Sequence, residues 1–475
     1  MNMNVKTAAL FLTGLAALAA CTSAGDDPVT TSFGSLTSED PAISRRSLEW
    51  DNPYAGTATE EVTLSVWGGE TQDSVDFIKT VAKDFKKANP QSNYTINVKP
   101  VSESSVSGDW ESDPSTAADV AIAADDQIPS MVASNYIQDL DAMSRKIPGL
   151  ADDIKNRNIP EAVEAVLHDG KTYGFPVSAS NGYVLFYNSK YINAEDTVSF
   201  DKLLKAIHEA SVRENKNFTF GYPYNSGWYL DGWFHGAGFS AIGEAGATTV
   251  ECNWNSTVDG VQGKDVAGAM LKLAHGEYSR HWSYGEGSNL MARIGDSSND
   301  QVIATINGTW SWNQVKKNWG EFSQATVLPS YHLDLANKDI AMHSVKGFKI
   351  AVINKARAKT AIAAARFAEF LTNYESEILR YDLINEAPTN IASREQTDFS
   401  TNPCVNAVNE QWAKGAFVEK VNKAFWSYSN GLSVQLSDNS DTSLITSGAG
   451  TADVVINYDA VQDALDACVN SLAGN

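Results

Sequence analysis

The stretch Val62-Thr-Leu-Ser-Val-Trp67 alternates in polarity and is rich in β-branched residues, so it predicts a strand. Apolar residues then recur at helical spacing from Ser74 to Ala88, and Asn89-Pro90 ends this predicted helix. Further strands are predicted at Tyr94 to Val98 and at Ala118 to Ala123. This alternation predicts an α/β domain with a parallel sheet. Ligands bind such sheets beyond the carboxyl ends of the strands.

The composition limits the classes of function. The chain has 475 residues with 36 basic and 58 acidic side chains, which gives a net charge of −22. Typical domain sizes predict two or three domains for this length. The acidity argues against a nucleic-acid-binding protein, because such binding relies on clustered Lys and Arg. Twelve Trp and 17 Tyr are many for this length, and this aromatic excess needs an explanation.

The first 60 residues are expected to lie outside the folded domains. Lys6 is the only charged side chain before the apolar run from Ala8 to Ala20, which is too short to span a bilayer permanently. Leu18-Ala19-Ala20-Cys21 resembles the bacterial lipobox, which implies a signal peptide over 1–20 and lipidation of Cys21. The alternative is an ordinary signal peptide with a Cys near its cleavage site. Residues 21–60 are rich in Ser, Thr, Asp, Gly and Pro and predict a disordered tether.

Three further cysteines follow, at Cys252, Cys404 and Cys468. The odd number implies at least one free thiol or an intermolecular bond. Export permits a disulfide between Cys404 and Cys468, but the spacing does not decide between a bridge and free thiols.

The sequence lacks the motifs of several common chemistries. There is no GxxxxGK[ST] loop, no GxGxxG after a strand, no HExxH and no GxSxG elbow. His275 and His281 are six residues apart, a spacing that places them on different faces of a helix rather than on one metal site. No cofactor and no metal are therefore expected. Carboxylates are plentiful, but nothing in the sequence marks a glycosidase pair.

Six segments follow one another in a characteristic order. They are Leu64–Trp67 with the helix ending at Phe85, Ala118–Ile122 with Asn135–Leu140, His168–Pro176, Leu185–Asn188, Ile306–Trp312 and Thr326–Pro329. Their order resembles the maltose-binding-protein-like family of extracellular solute-binding proteins, and the resemblance covers about residues 60 to 430. These proteins supply ABC importers, mostly with sugars.

The resemblance implies an α/β, two-lobed periplasmic-binding-protein-like fold of type II, with hinge crossings between the lobes. One lobe would contain 61–178 plus 332–388, and the other 182–328 plus 392–475. Ligand would bind in the cleft, and the lobes would close on it. The implied function is the capture of a carbohydrate, expected to be an oligosaccharide, and its delivery to an ABC transporter permease.

By this resemblance, the protein is expected not to be an enzyme. It would be an exported monomer, lipid-anchored to the cell membrane and facing the outside or the periplasm, with no nucleic-acid partner. Two alternatives remain open. The same fold would accept a polyamine or other small cation if its cleft combined acidic residues with aromatic rings. A surface glycan-degrading enzyme would instead need two facing carboxylates across the cleft.

Aromatic residues are the first candidates for the cleft, because a sugar ring stacks on flat side chains and its hydroxyls need polar groups around them. Trp310 matches the family's Asn-Gly-x-Trp motif, in which the Trp stacks on the ligand. Trp426 stands where the family often has a second stacking residue. Tyr224 and Trp228 belong to the densest aromatic cluster, in which Asp231 would supply the acidic contact. The alternative for each aromatic residue is packing in a core.

Polar candidates lie near the ends of the first strands. Glu70 and Asp126 match positions that supply hydroxyl-binding carboxylates in the family. Gln127 stands where some members carry Arg, and Asn181 lies at the first expected crossing, where it would donate hydrogen bonds. The alternative for these residues is a solvated loop or a helix cap.

Overall fold

A computed structural model describes residues 61–69, 71–90, 92–223, 226–243, 247–285, 287–295 and 300–474. Among these residues, no helix is both long and apolar enough to cross a membrane. The expected signal peptide, Cys21 and the tether all lie outside the described residues.

The main strands, in chain order, fall into two five-stranded sheets. They are β1 (Glu61–Trp67), β2 (Asn93–Lys99), β3 (Val120–Ala124), β4 (Phe175–Ser178), β5 (Tyr183–Asn188), β6 (Asn217–Pro223), β7 (Trp282–Gly285), β8 (Asp300–Gly308), β9 (Ser323–Thr326) and β10 (Lys349–Ile353). Shorter strands form two-stranded ribbons at Leu167–His168 with Lys171–Thr172, Ala241–Ile242 with Glu251–Cys252, Thr257–Val258 with Val261–Gln262, Ser330–Leu333 with Lys338–Ala341, Ser344–Val345 with Ala416–Phe417, and Ile445–Ser447 with Val455–Ile456.

The helices cover the faces of the two sheets. They are α1 (Gln72–Ala88), α2 (Val106–Ser112), α3 (Ile128–Ala133), α4 (Leu140–Met143), α5 (Leu150–Arg157), α6 (Pro160–Val166), α7 (Phe200–Glu214), α8 (Gly227–Gly236), α9 (Gly263–His275), α10 (Gly287–Arg293), α11 (Trp312–Trp319), α12 (Ala361–Leu371), α13 (Tyr374–Ile384), α14 (Ile391–Gln396), α15 (Pro403–Lys414), α16 (Lys423–Ser437) and α17 (Tyr458–Leu472).

Both sheets are mixed. The first has the order β2-β1-β3-β10-β4, in which β1 runs parallel to β2 and β3 while β10 runs antiparallel to both of its neighbours. The second has the order β7-β6-β8-β5-β9, in which β6 runs parallel to β7 and β8 while β5 runs antiparallel to its neighbours. The predicted parallel pairing is therefore confirmed for β1 to β3, and β10 is the exception.

Local sequence explains why the first strand-helix pair forms where predicted. Every second residue of β1 is buried, as its alternation requires. Thr71 caps α1, because its Oγ1 accepts a hydrogen bond of 3.2 Å from the amide of Ser74. Val75, Ile78 and other apolar residues of α1 face the core. This arrangement brings the N-terminus of α1 to the carboxyl edge of the sheet.

Each sheet has its own core, so the molecule has two lobes. The first core collects apolar residues from 62–179 and from 348–371. The second collects them from 183–345 and from 421–472. A smaller cluster on the other face of the second sheet joins α11 to α15. The chain therefore crosses between the lobes more than once.

The crossings differ in part from the expected positions. The first lies between β4 and β5, because Ala179 belongs to the first core and Tyr183 to the second. The second follows Val345, because the hairpin that includes Tyr331 and Ile340 packs in the second core. The expected start of the returning first-lobe segment at 332 is thus too early. The hydroxyl of Tyr331 holds the hairpin there by donating a hydrogen bond of 2.5 Å to the carbonyl of Trp233.

The third crossing is also displaced. Helix α14 packs on α13 in the first lobe, and the Ser393 hydroxyl donates a 2.9 Å hydrogen bond to the Tyr374 carbonyl. Helix α15 packs on β9 in the second lobe, where Gln411 Oε1 accepts a 2.7 Å hydrogen bond from the Leu328 amide. The crossing therefore lies after α14, beyond the expected boundary at 392.

The three cysteines within the described residues are free thiols. Cys404 is buried in the small cluster beside α11, whereas Cys468 is buried in the second core. The two side chains thus belong to different clusters, and no disulfide joins them.

Candidate functional site

A cavity of about 970 Å³ lies between the lobes. This volume is within the usual range for small-molecule sites. The first lobe contributes the N-terminus of α1, the segment around α2, and the end of β3 with its following turn, and the second contributes α8, α11, α16 and the turn after β8. At the rim the lobes touch, because Asn313 Nδ2 of α11 donates a 3.3 Å hydrogen bond to Asp73 Oδ2 of α1.

The second lobe lines the cavity with aromatic side chains. Trp228, Tyr229, Trp310 and Trp426 all contribute to its wall. The rings of Trp228 and Trp310 stack with a centroid distance of 5.5 Å and an interplanar angle of 28°. The Trp310 side chain is 42% exposed, whereas Trp side chains are mostly buried on average. Such a ring offers a flat apolar face to a ligand.

The backbone after β8 fixes the position of Trp310. Gly308 ends β8, and a Cβ at this position would lie 2.2 Å from atoms of the Trp310 ring. Only glycine therefore lets the indole fold back over the chain. Two residues on, Trp312 is buried and its ring stacks on that of Phe186 with a centroid distance of 5.8 Å, so Trp312 packs in a core.

The first lobe contributes polar groups from the turn after β3. Asp126 and Gln127 line the cavity, and Gln127 Nε2 donates a 3.0 Å hydrogen bond to Asp126 Oδ2. Asn181, at the first crossing, also lines it and donates a 3.2 Å hydrogen bond to Asp125 Oδ1. Burial, with help from the neighbouring Asp126, raises the pKa of Asp125 to about 7.

Glu419, a lining residue that the sequence did not reveal, faces the first lobe from the second. Burial raises the pKa of its carboxyl well above the ordinary value, and nearby Asp126 and Asp231 add to the shift. The residue follows a two-residue strand in a short loop, and no local pattern distinguishes it from other surface acids.

A buried ion network forms the base of the cavity. Lys349 Nζ lies 3.1 Å from Glu103 Oε1 and 2.7 Å from Glu386 Oε1, and Arg380 Nη1 lies 2.6 Å from Glu386 Oε2. Burial alone would lower the pKa of Lys349, but the two carboxylates outweigh it and hold that pKa above its usual value. The same cations hold the pKa of Glu386 at about 2, although burial opposes them. The network joins β10 to the loop after α13.

The family model for bacterial extracellular solute-binding proteins matches residues 80–407. This segment covers more than half of the chain and includes strands of both sheets. The chain belongs to this family. The family's extracellular setting indicates that this solute-binding protein is exported. No curated protein sequence matches it.

Solved structures share the fold of the solute-binding protein. A maltodextrin-binding protein from L. casei BL23, without ligand, is 21% identical with a TM-score of 0.67, over 87% of this chain and 99% of that chain. The maltose/maltodextrin-binding domain from Bdellovibrio bacteriovorus, bound to maltotriose, is 16% identical with a TM-score of 0.66, over 87% and 100%. An ABC transporter solute-binding protein from Thermotoga lettingae TMO, bound with α-D-tagatose, is 14% identical with a TM-score of 0.64, over 86% and 99%. These likenesses establish the two-lobed α/β fold.

Most of the predicted site residues line one wall or the other of the cavity between the lobes. Those that line the cavity are Trp310, Trp426, Trp228, Asp126, Gln127 and Asn181. Glu70 and Tyr224 lie outside the described residues. Asp231 does not line the cavity, because α8 turns it into the second core, where it is 1% exposed. Glu419 is the acidic residue of the second lobe that reaches the cavity instead.

The buried Asp231 predicts a pH-dependent stability. Among the described residues, neither carboxylate oxygen has a hydrogen-bond partner, and burial raises its pKa well above the ordinary value. His235 lies 3.7 Å away but does not compensate, because burial lowers its pKa to about 4. The folded protein thus holds a proton that the unfolded chain releases above about pH 4. Stability should fall as the pH rises from there through the raised pKa.

Asp231→Asn should remove this loss and raise the free energy of unfolding by roughly 1 to 3 kcal/mol at about pH 8. The gain should shrink at about pH 5. Urea unfolding at both pH values measures it, with the exposed Asp76→Asn as the matched control. An equal effect of both variants, or a loss of stability in Asp231→Asn at the higher pH, would contradict the prediction.

Proposed function

We propose that this protein captures an oligosaccharide in the cavity between its lobes and delivers it to the permease of an ABC transporter. The observation that carries the proposal is the set of Trp side chains on one wall of a 970 Å³ cavity. The exposed ring of Trp310 suits the C–H face of a sugar, and amides such as Gln127 and Asn181 suit its hydroxyls. The sugars bound in structures of the same fold support this choice of ligand.

The proposal has consequences for the remaining properties of the molecule. Affinity comes from stacking and from hydrogen bonds that replace those of water, so the protein performs no covalent chemistry and needs no cofactor. The segment 21–60 tethers a monomer to the membrane through lipid on Cys21. Contacts such as that between Asn313 and Asp73 form as the lobes close over the ligand.

A ligand screen tests the proposed function. The full chain is titrated with maltotriose, other neutral oligosaccharides, an amine-bearing oligosaccharide and spermidine, and both Trp fluorescence and the unfolding temperature are followed. An oligosaccharide should change the fluorescence, because Trp228 and Trp310 line the cavity. It should also stabilise the fold by about 2.7 kcal/mol at a concentration of 100 Kd.

Spermidine represents the second candidate, a small cationic solute, which the acidic residues Asp126 and Glu419 favour. Binding of spermidine with no binding of any sugar would reject the carbohydrate proposal. A third possibility, glycan degradation, is tested by looking for shortened products after incubation. Intact sugar is the expected result, because the family comprises binding proteins.

A further inference from the structure

The turn that carries Trp310 is attached to the segment where the chain first crosses between the lobes. The Thr309 amide donates a 3.1 Å hydrogen bond to the carbonyl of Gly182, which continues the pairing of β8 with β5 by one residue. The Thr309 hydroxyl reaches further along the crossing and donates a 2.5 Å hydrogen bond to the carbonyl of Ser180. The residue before Trp310 is therefore held to the crossing by two bonds.

Ser180 is itself fixed by the first lobe. Its side chain is buried, and its hydroxyl accepts a 2.7 Å hydrogen bond from the amide of Ala387, in the loop after α13. The carbonyl of Ala387 in turn accepts a 2.8 Å hydrogen bond from the amide of Ala179. A buried carbonyl needs a donor, and the Thr309 hydroxyl of the second lobe provides one for Ser180. Ser180 thus joins a loop of one lobe to a turn of the other.

Asn181 lies between the two residues that Thr309 contacts. Its side chain lines the cavity, and its amide donates a 3.2 Å hydrogen bond to the carbonyl of Gly347 in the second crossing. A Cβ at Gly347 would lie 2.2 Å from the Asn181 carbonyl oxygen, so the two crossings are in direct backbone contact. Under the proposed function, the lobes rotate about these crossings. Groups next to a rotation axis move least, and Thr309 is bonded to such groups.

The indole that supports Trp310 is tied to the same segment. The Trp228 ring packs edge-on against that of Tyr183, the first residue of β5, with a centroid distance of 4.7 Å. The Tyr183 hydroxyl also donates a 3.2 Å hydrogen bond to the Trp228 carbonyl. Trp228 is thus positioned by Tyr183, and the turn of Trp310 by Thr309. Loss of the Thr309 hydroxyl would release one member of the stacked pair and leave the other in place.

We propose that Thr309 is a positioning residue, whose hydroxyl holds the Trp310 ring at a fixed place beside the crossings while the lobes open and close. This inference rests on the proposed function and adds a residue to the same site. Thr309 does not itself line the cavity, so it acts through Trp310 and not by touching the ligand. Valine keeps the branched shape of threonine but lacks the donor, so Thr309→Val isolates the effect of the hydrogen bond.

The first test measures the binding of maltotriose by calorimetry, or of the oligosaccharide that binds in the screen if maltotriose does not. Thr309→Val should weaken binding about three- to tenfold, and Thr309→Ser, which keeps the hydroxyl, should bind within about twofold of the unmodified protein. In the Trp310→Ala background, Thr309→Val should have no further effect, because the ring that it positions is gone. The matched control is Thr80→Val, which removes an exposed hydroxyl that donates a 2.8 Å bond to the Asp76 carbonyl on α1.

The second measurement needs no ligand. The circular dichroism of stacked indoles depends on their relative orientation, so the pair of Trp228 and Trp310 gives a signal in the free protein. Thr309→Val should alter the part of the spectrum that Trp310→Ala removes, whereas Thr309→Ser and Thr80→Val should preserve it. Urea unfolding identifies the folded variants. Thr309→Ala, which lacks the same hydroxyl, replaces the valine variant if valine impairs folding.

The outcomes separate the inference from the proposed function. If loss of the Thr309 hydroxyl leaves either the affinity or the dichroism of the indole pair unchanged, the inference fails and oligosaccharide capture stands. If Thr309→Val weakens binding equally with and without the Trp310 ring, the inference also fails, because the hydroxyl would then not act through Trp310. If no sugar of the screen binds, the proposed function fails, and the dichroism alone decides whether Thr309 positions Trp310.

Discussion

Trp310→Ala is expected to weaken oligosaccharide binding by about 30-fold or more, which corresponds to at least about 2 kcal/mol. The indole is 42% exposed and stacks on Trp228 along the cavity wall, so a ligand covers apolar surface that alanine lacks. The same exposure means that the core loses little, and the free energy of unfolding should change by less than about 1 kcal/mol. Calorimetry and urea unfolding measure the two effects separately.

The matched control is Phe322→Ala, which removes an aromatic ring that is similarly exposed but lies away from the cavity. This variant should bind the oligosaccharide like the unmodified protein. An unchanged Kd in Trp310→Ala would remove Trp310 from the site. A large loss of stability in that variant would instead show that the ring belongs to the core.

Lys349→Met is expected to lower the free energy of unfolding by about 3 to 5 kcal/mol. Lys349 is buried, with a side chain 6% exposed, and methionine preserves much of its length but not its charge. Glu103 and Glu386 would then remain buried without their shared partner, and Arg380 would satisfy only Glu386. Breaking a buried pair from one side is costly, because it leaves an uncompensated charge.

Lys171→Met provides the comparison for this variant. Lys171 pairs with Asp139 at 3.0 Å, but its side chain is 53% exposed, so its loss should cost less than about 1 kcal/mol. Denaturant titration of both variants gives the difference. A cost for Lys349→Met no larger than that for Lys171→Met would show that the network does not stabilise the base of the cavity.

Much of the fold could be predicted from local patterns. Strand β1 and helix α1 follow directly from alternation and helical spacing, because each buries a single face. The expected boundary at 332 places most of the hairpin around Tyr331 in the wrong lobe, because the position of the hairpin depends on a hydrogen bond to distant Trp233. Short polar strands carry no signal that tells which of two cores they join.

The same difference between local patterns and long-range contacts applies to the residues of the candidate site. The position of Trp310 on the cavity wall could be predicted, because a motif places it directly after a strand, and its contact with a ligand stays a prediction. Asp231 could not be placed, because α8 buries residues around nearly its whole circumference and its sequence does not mark a cavity face. Glu419 and Lys349 gain their roles only when segments far apart in the chain meet across the cleft.

The position of β10 in the first sheet determines how late in the chain's emergence that sheet can be completed. The strand lies between β3 and β4, yet it comes at residues 349–353, after most of the second lobe has been made. When the chain emerges from its N-terminus, the first sheet therefore lacks β10 until about three quarters of the chain has emerged. Helices α16 and α17 likewise complete the second core only at the end of the chain. The first sheet and the second core can therefore each be complete only once the last part of the chain is available.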